Sequence, residues 1–200
     1  MRTVFIDVDT QNDFLSPAGG LYIAGGEEII PRLGALTRFA AAHGRTIVST
    51  ADAHAEDDVE FQTWKPHCIA GTLGQAKVAA TRLDHPLIVT SDPAAFPTVA
   101  QVSTARQIVV EKQKLDCFSN PNLVPLLASL SATRYVIYGV ATEFCVQCAL
   151  AGLVQIGRPV ELVVDAIRGI GSEADDVVNR FAGKGVRLVK TEDVVHAASA

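Results

Sequence analysis

Cys145 lies in YGVATEFCVQCAL, between a strand-like apolar run and a helix-like one. A thiol at the start of a helix suits nucleophilic chemistry. Helix N-termini lower thiol pKa values, and their unpaired backbone N–H groups can hold a developing oxyanion. The same position also suits a small buried residue, because unreactive cysteine is common in cores. Two charged residues stand at comparable places. Asp9 ends the run TVFIDVD, and Lys112 closes QIVVEK. Polar residues at the carboxyl ends of parallel strands line the crevice where ligands bind. A carboxylate there can move a proton, and a lysine beside it can keep it ionised. Asp7 and Asp13 compete with Asp9, and Lys114 with Lys112. Asp7 shares a side of its strand with Asp9, which makes it a supporting hydrogen-bond group. A turn-capping carboxylate and a solvated lysine are the bland alternatives.

A second set lies in TADAHAEDD and KPHCIAGT, which carry Asp52, His54 and His67. One carboxylate and two imidazoles form a divalent-metal set when water or substrate fills the remaining positions. Asp52 and His54 are two apart, so in an extended segment they point the same way. Ordinary surface histidines are the alternative. Cys68, Cys117, Cys145 and Cys148 allow two disulfides by count, and Cys145 with Cys148 has redox CxxC spacing. No second CxxC is present, and the segment continues as a helix, so free thiols are expected. Cys148 reads as a packing residue, and Cys68 and Cys117 have no assigned role.

These residues need a frame to hold them. Residues 3–8, 45–50, 107–111, 134–139, 160–164 and 186–189 read as strands. Most are continuous apolar runs, as expected of parallel strands covered on both faces. Helices are predicted at 27–42, 122–130, 145–156 and 173–182, with a short one near 192–198. Alternating strand and helix predicts an α/β layered fold with right-handed crossovers. The long connection from 51 to 105 holds one predicted short helix near 73–82 and a short strand near 87–90. A connection of that length inside a compact domain usually serves a binding or catalytic site.

The 200 residues are 48% hydrophobic and 20% charged, with a formal net charge of -5. A chain of this size buries roughly 70% of its unfolded surface, so a single domain over 1–200 is expected. The acidic balance gives no basic patch for nucleic acid, and no apolar run is long enough to span a membrane. The first segment meets acidic residues where a secretory leader would still be apolar, so a cytoplasmic location is the expectation.

Taken together, the motifs resemble the isochorismatase-like cysteine hydrolases, and within them the nicotinamidases. DTQNDFLSPAGGL resembles the family's opening Asp-x-Gln-Asn-Asp-Phe motif. DAH with the later HCIAGTLG resembles the nicotinamidase metal-binding loop, and GVATEFCV resembles the nucleophile segment Gly-Val-x-Thr-Asp-x-Cys-Val. The resemblance implies a three-layer Rossmann-like fold around a six-stranded parallel sheet of order 3-2-1-4-5-6. It implies a catalytic triad of Asp9, Lys112 and Cys145, a cis peptide between Val140 and Ala141, and an oxyanion hole from the amides of Ala141 and Cys145. Asp52, His54 and His67 would hold a divalent metal, zinc first, with manganese or iron as alternatives. Phe14 and Trp64 would flank the substrate ring, with Val140 beside them. The implied reaction converts nicotinamide to nicotinate and ammonia through a thioester, with Lys112 helping to stabilise the Cys145 thiolate. Another small amide or N-carbamoyl compound is the second reading, and a noncatalytic small-molecule-binding homologue the third. Relatives that hydrolyse isochorismate lack the cysteine, which sets that chemistry aside. A homo-oligomer is implied as well. Two features depart from the pattern: Glu143 replaces the motif's Asp, and the stretch VVEKQKLDCFSNPN after the metal loop is atypical.

Overall fold

The computed structural model describes residues 2–196, which form a parallel sheet sandwiched between helices. The strands are β1 (Thr3–Val8), β2 (Ile47–Asp52), β3 (Leu87–Val89), β4 (Gln107–Lys112), β5 (Arg134–Val140), β6 (Val160–Arg168) and β7 (Arg187–Val189). The helices are α1 (Asn12–Leu15), α2 (Ile30–Ala42), α3 (Val99–Thr104), α4 (Leu123–Ser129), α5 (Gln147–Ile156), α6 (Ala174–Ala182) and α7 (Thr191–His196). The α/β class matches expectation, but the strand count and order need correction. The sheet has seven strands, not six, in the order β3-β4-β2-β1-β5-β6-β7. The seventh strand, β3, is the short strand expected near 87–90; it is three residues long and joins the sheet as an edge beside β4, with Ile88 47% exposed. What the six-stranded expectation left out was its pairing into the main sheet with Ile108–Val110, a long-range register that no local pattern reveals.

Apolar runs explain the layering. Every residue of β1 and β2 is buried, as strands with helices on both faces require. Val4, Ile6 and Val8 pack on one face with Leu126 of α4, Leu150 of α5 and Phe181 of α6. Phe5 packs on the other with Leu33 and Leu36 of α2 and Val194 of α7. Each such fully buried aliphatic side chain contributes about 1.5–3 kcal/mol relative to exposure.

Register then levels the strand ends. Val8 of β1 pairs with Thr50 of β2 and Gly139 of β5, and Asp52 of β2 pairs with Lys112 of β4. The carboxyl ends of four adjacent strands therefore open into one crevice, at the point where the chain's direction of travel across the sheet reverses.

Local chemistry adjusts several predicted helices. The segment from 145 is not α-helical at its start: Thr142–Val146 form a π-turn, and regular α5 begins at Gln147. The helix predicted near 73–82 is only a 3-10 turn at Ala79–Thr81. An unpredicted helix, α3, is fixed by a capping box between Thr98 and Gln101. Of the helix predicted near 192–198, α7 covers Thr191–His196, and the remainder lies outside the described residues. No helix among the described residues is long and apolar enough to cross a membrane.

Candidate active site

Four strand ends meet at one buried ammonium. Lys112, fully buried at the end of β4, places Nζ 3.0 Å from Asp9 Oδ2 and 3.5 Å from Cys145 Sγ. The same nitrogen contacts Asp52 Oδ1 directly. Burial alone would push the lysine toward its neutral form, but the Asp52 and Asp9 carboxylates outweigh it and hold its pKa well above the usual value. Asp9 is held from its other side by Thr50, whose hydroxyl donates to Oδ1 at 2.6 Å. The chain leaves β1 at Asp9 in the left-handed region (φ 49°), which Asp tolerates better than most residues. The turn is closed by Gln11 N–H donating to Asp9 O at 2.8 Å.

Cys145 occupies the π-turn after β5, and the peptide bond between Val140 and Ala141 is cis. Its surroundings reverse one expectation. Burial pushes the thiol well above its ordinary pKa; Lys112 opposes this, while Asp9, Asp52 and a hydrogen bond to Asp9 reinforce it. The partner that the structure places directly on the sulfur is the Lys112 ammonium, donating at 3.5 Å.

The metal-type residues also converge. Asp52, His54 and His67 offer ligand atoms all within 4.8 Å of one another. His54 Nδ1 lies 2.9 Å from the Asp58 carboxylate, and His67 Nδ1 lies 2.8 Å from the Lys65 carbonyl. Both partners only accept, so each Nδ1 is the donor and each Nε2 is the ring nitrogen left toward Asp52. Those nitrogens are 4.0 Å and 3.9 Å from Asp52 Oδ2. His54 Nε2 is buried without a hydrogen-bond partner, which a bound cation would supply. Burial lowers the His67 pKa, keeping the imidazole in its ligating form. Burial also raises Asp52, against the pull of Lys112, to about 6. Asp9, Asp52 and Cys145 form a second close group of donors, but the Lys112 ammonium already touches all three.

One pocket joins the two sets. Its lining includes Cys145 and Ala141 on one side, Asp52, His67 and Glu60 on another, and Phe14 and Trp64 as expected. Leu21, Ile23, Leu115, Phe144 and Ile170 complete it, and none of these was identified from sequence. Trp64 and Phe144 meet edge to face with ring centroids 5.2 Å apart, and Phe14 stands 5.4 Å from the His67 ring. Val140, expected in the pocket, is fully buried behind it and is not among the lining residues.

The remaining candidates take supporting places. Asp7 binds Lys77 at 2.7 Å and accepts from Thr10 and Ser49, so it anchors the start of the crevice instead of entering it. Asp13 accepts from Cys68 N–H at 2.6 Å and Gly20 N–H at 2.8 Å, clamping the loop that carries His67. Gly74 makes room for that clamp, since a Cβ there would stand 2.1 Å from Asp13 Oδ2. Lys114 is exposed. All four cysteines are free, and burial raises Cys68 and Cys117 far above the ordinary thiol range. Sequence reasoning passed over Gln11, whose side-chain amide pairs with both Asp52 N–H and Asp52 O at 2.8 Å each. It also passed over Asp58 and over Glu60, which stands 4.0 Å from His67 Nε2. The spacing of Asp58, four residues after His54, was the available signal.

The isochorismatase-domain family pattern matches residues 3–193. A nicotinamidase of Saccharomyces cerevisiae is 25% identical over 212 residues, covering 90% of this chain and 93% of that protein. A nicotinamidase/pyrazinamidase of Mycobacterium tuberculosis is 26% identical over 180 residues, covering 86% and 89%. Among solved structures, the pyrazinamidase of Pyrococcus horikoshii in complex with zinc superposes with a TM-score of 0.79 at 26% identity, over 95% of this chain and 99% of that one.

Proposed function

Because the chain belongs to the isochorismatase family, we propose that it is a metal-dependent cysteine amidohydrolase that converts nicotinamide to nicotinate and ammonia. The observation that carries this reading is the Lys112 ammonium in simultaneous contact with Asp9, Cys145 and the metal-type ligand Asp52. That contact gives one pocket both a nucleophile with its base and a cation set. Relatives named nicotinamidase support the substrate class.

In this mechanism Asp9 takes the Cys145 proton as the sulfur attacks the carboxamide carbon. Lys112 limits the charge built up on Asp9 and sulfur by staying protonated beside them. The amides of Ala141 and Cys145 receive the tetrahedral oxyanion. Asp9 returns its proton to the departing nitrogen, the C–N bond breaks, and ammonia leaves behind a thioester on Cys145. Asp9 then deprotonates a water that attacks the thioester, and the C–S bond breaks to give the carboxylate and the free thiol. Phe14 and Trp64 flank a flat ring and exclude water from its faces. A divalent ion held by Asp52, His54 and His67, with zinc first and manganese or iron as alternatives, would supply a Lewis-acid anchor for a ring nitrogen.

An ammonia-release screen over nicotinamide, pyrazinamide, N-carbamoyl compounds, ureides and aliphatic amides tests the reading. Nicotinamide and pyrazinamide should give the highest kcat/KM. A preference for N-carbamoyl compounds would move the assignment to that substrate class. Absence of turnover across the panel by zinc-loaded protein would overturn the enzymatic reading.

A further inference from the structure

Glu143 is two residues from the nucleophile, in the same π-turn, yet its side chain leaves the pocket for a different element. Its Oε1 accepts two backbone hydrogen bonds, from Ile170 N–H at 2.7 Å and Gly171 N–H at 2.5 Å. Both donors lie in the loop between β6 and α6. Oε2 is buried without a partner against Gly169, where a Cβ would stand only 2.4 Å away. Glycine at 169 is therefore required for the carboxylate to seat. The backbone oxygen of Glu143 accepts from Gln147 Nε2 at 2.5 Å, which fixes the π-turn end of the same tie. The loop so held carries Ile170, whose side chain is 47% exposed and forms part of the pocket wall with Cys145, Ala141 and Phe144.

From this geometry we infer that Glu143 is a positioning residue: its carboxylate sets the distance between the nucleophile turn and the Ile170 wall, and thereby the size of substrate the pocket accepts. The inference rests on the amidohydrolase reading for its kinetic consequence but not for the tie itself. Two N–H groups converging on one oxygen leave the loop little freedom while that oxygen is present. Without it, two part-buried backbone donors lose their shared acceptor and the wall is released. The lone pairs of an amide oxygen also accept both N–H groups, though more weakly than a carboxylate, so an acceptor at the right reach preserves most of the role.

The test is a set of zinc-loaded variants. Glu143→Ala should raise KM for the preferred amide by about tenfold while kcat changes by less than about threefold, the pattern of lost binding without lost chemistry. Glu143→Gln should hold KM within about threefold of wild type. Ile170→Ala should raise KM in the wild-type background and add distinctly less to Glu143→Ala, because both changes remove the same wall. Amide hydrogen exchange at Ile170 and Gly171, slow in wild type and in Glu143→Gln, should become fast in Glu143→Ala. Unchanged exchange at those amides, or a fall in kcat at constant KM, would overturn the inference. So would a Glu143→Gln variant as impaired as Glu143→Ala. The exchange arm needs no turnover. An inactive wild type would therefore sink the amidohydrolase reading and still leave the tie to be judged.

Discussion

The last residue of β4, Lys112, and the last residue of β2, Asp52, are register partners whose side chains are in direct contact inside the protein. Through that contact the Cys145 environment and the Asp52, His54 and His67 group share one ammonium, with Asp9 as a further partner at 3.0 Å.

Removing the ammonium should therefore cost stability as well as activity. Lys112→Met leaves Asp9 and Asp52 facing each other, buried and uncompensated, at a cost of about 3–5 kcal/mol. Urea unfolding at pH 7 measures it. Stability relative to wild type should partly recover as pH falls, since protonating either carboxylate removes the charge that lost its partner. No recovery on acidification would show that the loss is one of packing.

Metal affinity should carry the signature of Asp52. Its carboxyl is raised to about 6, chiefly by burial. Below that pH a proton competes with the ion for the ligand, and above it the carboxylate is ready. The apparent Kd for zinc is expected to rise by about tenfold per unit as pH falls below 6 and to level off above 7. Titration of chelator-treated protein with zinc at half-unit intervals of pH checks this, with Asp52→Asn as the variant whose profile should lose the step at 6.

Cys145→Ala should reduce ammonia release by about 10³-fold or more, because no other thiol lines the pocket. Circular dichroism and zinc content should match wild type. The swap removes one buried sulfur and leaves the Asp52, His54 and His67 set in place. Retained activity in this variant would remove the nucleophile assignment outright.

Asp58 deserves a variant of its own because it orients His54 without facing the pocket. Its carboxylate is held below the usual range by the Glu60 N–H and by His54. Asp58→Ala should weaken zinc binding by about 10–100-fold, the usual effect of removing a group that fixes a ligand histidine. The adjacent, exposed Asp57 serves as control, and Asp57→Ala should leave the zinc Kd at its wild-type value.

Much of this site was legible in the sequence because strand ends announce themselves. Asp9, Asp52 and Lys112 each close an apolar run, and parallel register brings such closures to one edge. What stayed hidden were relationships across elements. No spacing rule relates Asp52 to Lys112, 60 residues apart, or Ile170 to Cys145. The pocket's apolar walls at Leu21, Ile23, Leu115 and Ile170 come from loops, whose residues show no periodicity to read. The π-turn was read as ordinary helix because both place Cys145 just after β5. The expected low thiol pKa failed for a different reason. Helix-terminus and lysine effects were weighed, but the burial that outweighs them depends on packing from distant segments.

That same burial bears on how the protein endures between encounters with substrate. Oxidants and electrophiles consume cysteines as thiolates at accessible surfaces. Cys145 is only 6% exposed, burial pushes its thiol pKa up, and it shares its pocket with Trp64, Phe144 and Ile170. A thiol so enclosed offers little surface to oxidants arriving from solvent. Peroxide should spare it far longer than it spares a free thiol in solution.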